Sequence, residues 1–436
     1  MDPITTQVTL GAAGAGGVED YWIATYTGGY GRGVDIDSDG NVYTTGNFSE
    51  SGENRIWITK HDASGVIQWQ RRLTGLSNES DTVSDLAVDS SGNVYIAGFT
   101  KSYGAGDTDV YLAKYNTSGV IQWQRSLGST GDDRSFSVAT DSSGNAYVTG
   151  YDLVGTGSRD VITAKYNSSG TLQWQRNLQG INPNNVSDEG HGIAVDSSSN
   201  IYVAGYHRDR TTSTYHNGLL IKYNSSGTIQ WQRSLTTSGL LEEQFLAVAT
   251  DSSGNVYVTG FTGGTGAGNE DILTAKYNSS GTLQWQRILG DIQNDNGFGI
   301  GVDGSSNVYV LGIYREPSTN NRFLIAKYNS SGTIQWQRQL TTSSSDTPDA
   351  IAVDNAGNVY VVGGTGSTGI IAKLPGDGSL TGTYGSFTYS SASLTSATSS
   401  LSSFTPSISD FAASLTSSSA SLTDAAASFT SSTTTL

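Results

Sequence analysis

The sequence contains no cysteine. Disulfides, thiolate nucleophiles and thiolate metal sites are therefore excluded, and the redox compartment stays open. Proline is scarce, with six in 436 residues, and methionine occurs once. No apolar run reaches the ~18 residues that would suggest a membrane-spanning helix, so membrane insertion is not expected. The opening Met1-Asp2-Pro3-Ile4-Thr5-Thr6 has neither a basic nor an apolar region, so no secretory leader is read there. Positive charge is also short: 23 Lys and Arg stand against 39 Asp and Glu, for a net charge of −16. That surface repels a phosphate backbone, and nucleic acid is not an expected partner.

Glycine, by contrast, is abundant at 55 residues, with 23 tyrosines and 8 tryptophans. Val, Ile, Thr and Tyr fill the periodic segments, which favours an all-β chain rich in tight turns. The periodicity is long-range. A unit of about 54 residues recurs, six times in full and once in part. Each copy has an Asp-Ser-Ser-Gly-Asn-Val-Tyr-like core, a Lys-Tyr-Asn-Ser-Ser-Gly-like core and a Gln-Trp-Gln-Arg ending. So short a unit cannot bury a core alone, and the copies must stack.

Within the third copy the pattern predicts four strands, a to d: Ser137 to Thr140, Ala146 to Gly150, Val161 to Tyr166 and Leu172 to Leu178. The turns at Asp141-Ser142-Ser143-Gly144 and Asn167-Ser168-Ser169-Gly170 make a–b and c–d hairpins, because Asp or Asn accepts a backbone N–H and Gly tolerates positive φ. Tryptophans of strand d recur at 69, 123, 174, 231, 285 and 336, so length differences fall in loops. Small residues at Ala87, Ala139, Ala194, Ala249, Gly301 and Ala352 suit an innermost strand near an axis. The reading is a seven-bladed β-propeller over residues 21–380. Its seventh copy lacks a Gln-Trp-Gln-Arg strand, which Tyr21 to Tyr26 with Trp22 supplies from the N-terminus. Trp57 and the strand-d tryptophans read as core. Residues 1–20 read as an N-terminal arm.

From Ser386 to 436 the composition turns to Ser, Thr and Ala, with no Lys or Arg beyond Lys373. Phe387, Leu394, Leu401, Ile408, Leu415, Leu422, Phe429 and Leu436 fall every seven residues. That spacing predicts a coiled-coil-like heptad tail that oligomerises, as a homo-trimer, or anchors the chain. Pro406 and the Ser/Thr content weigh against a helix.

Sequence signals for chemistry are weak. Asp35-Ile36-Asp37-Ser38-Asp39-Gly40 starts like a calcium loop but has Gly46 where an EF-hand needs Glu. His207 and His216 lack a third ligand, so no metal site is assigned. The acid pairs Asp132-Asp133, Asp188-Glu189, Glu242-Glu243 and Glu270-Asp271 suit exposed loops as well as hydrolysis. No catalytic residue and no cofactor is assigned. Recurrent lysines (Lys114, Lys165, Lys276) and arginines (Arg125, Arg176, Arg287) read as architectural. The b–c and d–a loops vary among copies while the a–b and c–d turns repeat. This places binding on one face, at His207, Arg208, Tyr215, His216, Arg315, Asn184 and Asn185.

The segments Asp251 to Gly260 and Ala275 to Arg287 resemble the bacterial seven-bladed β-propeller repeat family over roughly residues 21–375. Together with the Ser-Leu-Thr repeats at Ser393, Ser414 and Ser421, the whole chain resembles virion structural proteins of tailed phages of marine cyanobacteria. That resemblance implies a non-enzymatic fibre or capsid appendage located in the virion. Its implied partners are other virion proteins and host surface polysaccharide. A bacterial cell-surface adhesin and a polysaccharide-degrading propeller are the alternatives.

Overall fold

A computed structural model describes residues 4–10, 21–75, 79–154, 157–179, 187–208, 215–236, 241–263, 269–315, 320–366, 368–384, 386–392 and 394–398. In the tail it describes 402–404, 409–412, 416–419, 423–426 and 433–434. The described residues form seven antiparallel sheets and no helix. Blade three shows the pattern, with strands a to d at Arg134–Thr140, Ala146–Val154, Ser158–Tyr166 and Leu172–Gln179. Strand a of every blade touches strand a of both neighbours, so the seven innermost strands form a closed ring.

The a–b turn is locked by its first residue. In blade three, Asp141 accepts the backbone N–H groups of Ser143 and Asn145, the Asn145 side-chain amide, and the Tyr147 hydroxyl at 2.8 Å. The same Asp–Tyr bond recurs at Asp37, Asp89, Asp196, Asp251, Asp303 and Asp354. The turn ends in the left-handed region at Gly144 (φ 71°), but Ser199 (φ 57°) and Ser306 (φ 60°) hold that conformation without glycine.

Neighbouring blades are joined by a repeated seam. Each strand-d indole donates to a carbonyl in the turn that follows strand c of the next blade: Trp69 to Thr117, Trp123 to Ser168, Trp174 to Ser225, Trp231 to Ser279, Trp285 to Ser330 and Trp336 to Gly376. The ring closes with Trp22 donating to Ala63 O at 3.4 Å. Strand Tyr21–Thr27 pairs with Thr368–Leu374 from Trp22↔Lys373 to Thr27↔Thr368, and so completes blade seven as expected. Trp22 and Trp57 are buried, as the core reading requires. The other strand-d tryptophans are half-buried, because they lie in the seam and not behind it.

Ile4–Leu10, inside the stretch read as an arm, is instead a further strand of blade seven, antiparallel to Tyr21–Thr27. The tail also departs from expectation. Its described segments are short strands laid outside strand d, antiparallel to it, against blades six, five, four, three, two and one in turn. Thr433–Thr434 then runs parallel to the N-terminal strand of blade seven. Phe387 and Leu394, assigned above to oligomerisation, are instead buried in the chain's own cores, with Leu340 and Tyr389 and with Leu289 and Leu324 respectively. A residue already covered in this way has no apolar surface left for a partner helix. Leu401, Ile408, Leu415, Leu422 and Phe429 lie outside the described residues.

Candidate ligand-binding face

Strand a of all seven blades carries a bulge at one equivalent position, where the ladder skips one residue. The skipped residues are Arg32, Ser84, Phe136, His191, Leu246, Phe298 and Asp349. A bulge re-aims a side chain and breaks pairing. Here all seven line one axial cavity of about 450 Å³. They sit in the half of strand a nearest the variable loops, whereas Ala87, Ala139, Ala194 and Ala249 line the half nearest the a–b turns. The wall is therefore mostly small residues at one end, with Asp35 the exception, and carries six residue types over seven blades at the other.

The varied end is two-sided. On blades seven, one and two the lining is polar, through Asp349, Arg32 and Ser84. Arg32 pairs with Asp349 at 2.6 Å. Asp85, next to the blade-two bulge, accepts the Ser137 hydroxyl and Val138 N–H, while Asp35, toward the a–b turns at the position of Ala87, accepts the Val88 N–H. Burial in this narrow space pushes Asp35 and Asp349 up to about 6 and Asp85 to about 7, against the hydrogen bonds that favour their charged forms. On blades three to six the lining is aromatic and apolar, through Phe136, His191, Leu246 and Phe298. The Phe136 and His191 rings stack with centroids 4.7 Å apart and planes 11° apart.

Behind that stack lies a network of charge and aromatic groups. Arg159 donates to Glu189 at 2.6 Å and sits over the Tyr151 ring; Glu189 also faces His191 at 3.3 Å. Burial raises the Glu189 carboxyl, but His191, Arg159 and Tyr206 outweigh it and hold the group at about 2. Tyr206 packs between His191 and His216, and His216 pairs with Glu242. The stacked pair at the cavity is thus held from behind by satisfied partners.

The residues singled out in the loops are only partly gathered here. His216 joins the network. His207 is buried and bonds the Ser234 hydroxyl at 2.8 Å, so it is structural. The Arg208 and Arg315 backbone N–H groups bond Asp188 and Asp295, and the Arg315 side chain reaches Asn321. Tyr215 is exposed, and Asn184 and Asn185 lie outside the described residues. One member of each of three acid pairs is a loop staple. Asp133 accepts N–H groups of Ser129 and Leu153, Asp188 accepts that of Arg208, and Glu243 accepts the Thr236 and Thr262 hydroxyls. Sequence reasoning missed the bulge residues. Their signal is one variable position inside a strand whose neighbours repeat small or apolar residues.

The cations are architectural. The strand-c lysines lie over strand-b tyrosines, as Lys165 over Tyr147 at 5.0 Å, and the strand-d arginines donate to turn carbonyls of the next blade, as Arg176 to Gly227. Asp37 is consumed by its turn. No group of three metal-ligating side chains occurs among the described residues.

Four segments, 68–104, 122–151, 181–206 and 335–371, match the family described as Beta-propeller repeat. The chain is 25% identical over 396 residues to an uncharacterized WD repeat-containing protein of Acanthamoeba polyphaga mimivirus. That alignment covers 73% of this chain and 27% of the relative, so the chain spans about a quarter of that protein. Among solved structures it is similar to the polysaccharide lyase Uly1 (9% identity, 79% and 90% of the two chains, TM-score 0.48). It is also similar to the β-propeller domain of the Trilobed protease from Pyrococcus furiosus (9%, 79% and 93%, TM-score 0.45).

Proposed function

We propose that the chain is a non-enzymatic binding propeller and a structural component of a virus particle, a tail fibre or capsid appendage of a tailed phage. In this reading the axial mouth on the variable face engages a surface polysaccharide of the host. The observation that carries the binding role is the ring of seven bulge residues, six residue types over seven blades, gathered at one position of the axial cavity. The two-sided lining supports a sugar ligand: stacked rings cover the apolar face of a pyranose, and carboxylates accept its hydroxyls. The likeness to a mimivirus protein supports a viral setting.

The test is a binding measurement on host surface polysaccharide with Phe136→Ala and His191→Ala, and with Ser168→Ala on the opposite face as the control. Loss of one stacked ring costs about 1–3 kcal/mol, so the first two are expected to weaken binding roughly 5- to 150-fold and the control not at all. Equal binding by all three would overturn the assignment of the mouth. Turnover of the polysaccharide by the wild type would replace the reading with an enzymatic one.

A further inference from the structure

The seven-residue rhythm of the tail has a structural counterpart. Thr388, Thr395, Ser402, Ser409, Thr416 and Thr423 are seven apart, and each is paired with one equivalent residue of strand d: Thr341, Gly290, Thr236, Gln179, Gly128 and Thr74. In every case that residue lies four places after the second Gln of the Gln-Trp-Gln-Arg segment. Seven extended residues reach at most ~25 Å, enough for a short paired strand and one step to the next blade. One heptad is therefore one blade.

The first step is seen in atomic detail. Gln337 of blade six clamps the backbone of Leu394 from both sides, its amide donating to Leu394 O and its oxygen accepting Leu394 N–H, each at 2.9 Å. The Leu394 side chain then fills the cleft beside Leu289, Trp285 and Tyr328. The equivalent glutamines Gln70 and Gln232 hold buried side-chain oxygens that have no partner among the described residues. A buried amide oxygen left unpaired costs about 1–3 kcal/mol, so a repeated one marks a repeated acceptor.

We propose that the outer edge of each of blades one to six is a strand-acceptor site for a Ser/Thr-rich strand with one apolar residue in every seven, its phase read by the strand-d glutamine. The occupant is this chain's own tail. The described tail strands on blades six to one are separated by only three or four residues, too few to leave one ring for another between blades. The tail is then a belt that runs against chain order, covers the sheet edges and leaves the chain a monomer.

Hydrogen exchange of tail amides in the full-length chain, with sedimentation, tests this against the oligomerising coil. The wild type is expected to be a monomer whose Phe387 to Thr398 amides exchange far more slowly than those of a free peptide of the same sequence. Gln337→Met keeps the side-chain length but removes both bonds, and is expected to speed exchange around Leu394 by about tenfold. Leu394→Ser with Thr395→Leu moves the apolar side chain to the other face and should do the same, with blade three unchanged. Free-peptide exchange in the wild type would overturn the proposal. So would a trimer whose tail exchange ignores both variants.

Discussion

The Ser225 carbonyl oxygen takes two donors from the preceding blade, the Trp174 indole and the Lys165 ammonium. The same double use recurs at Ser168, Ser279, Ser330, Gly376 and Ala63. A methyl group on Gly227 would sit 2.7 Å from the Trp174 ring, so that turn requires glycine for space as well as for φ. Truncating the half-buried Trp174 to Ala is expected to cost about 1–3 kcal/mol in denaturant unfolding, less than the loss of a fully buried indole. Ser199→Gly and Ser306→Gly act in the opposite direction. Relief of the left-handed strain exceeds glycine's entropic cost, and each should raise stability by about 0.5–1 kcal/mol in the same assay. Asp85 sets a pH dependence. Its folded-state pKa of about 7 lies above its unfolded value, so the folded chain holds a proton that the unfolded chain releases. The contribution of this group to stability is thus greatest at acid pH and falls as pH rises from about 4 to 7. His61, lowered to about 4 by burial, works the other way below its unfolded pKa. The difference between wild type and Asp85→Asn isolates Asp85: the variant's melting temperature should fall less than the wild type's between pH 5 and pH 8.

At the scale of the element, legibility followed locality. The Asp-x-x-x-Asn-x-Tyr turn is complete within seven residues, so both its presence and its seven-fold repetition could be read directly. The N-terminal closure was legible because Trp22 carries the mark of strand d in a blade that lacks one. The bulges were not, since an inserted residue in strand a leaves hydrophobic alternation blurred but not broken, and its effect exists only once seven strands face a common axis. The tail's rhythm admits two readings for a physical reason. A period of seven fits two turns of a supercoiled helix and one blade step of an extended strand equally well. The Ser/Thr composition and Pro406 favoured the strand. Closure itself predicts a consequence: a chain lacking residues 1–27 leaves the edge of Thr368–Leu374 unpaired and Trp22's seam bond unmade. Such a chain is expected to melt lower and aggregate, as read by scanning calorimetry and light scattering.

The described blades form a ring in which each blade is held by the next, and the ring is not complete until the N-terminus returns to blade seven. The axial mouth depends on that closure, because Asp349 of blade seven and Arg32 of blade one meet across it. The natural absence of cysteine allows a direct test with Thr27→Cys and Thr368→Cys, whose backbone positions are paired across the closing strands. Directly opposed Cα atoms in an antiparallel pair lie ~4.5–5.5 Å apart, within the range a disulfide spans. Mild oxidation should cross-link the double variant within one chain, shift its mobility on a non-reducing gel and raise its melting temperature. A double variant that stays reduced, or that links only between chains, would contradict the closed ring.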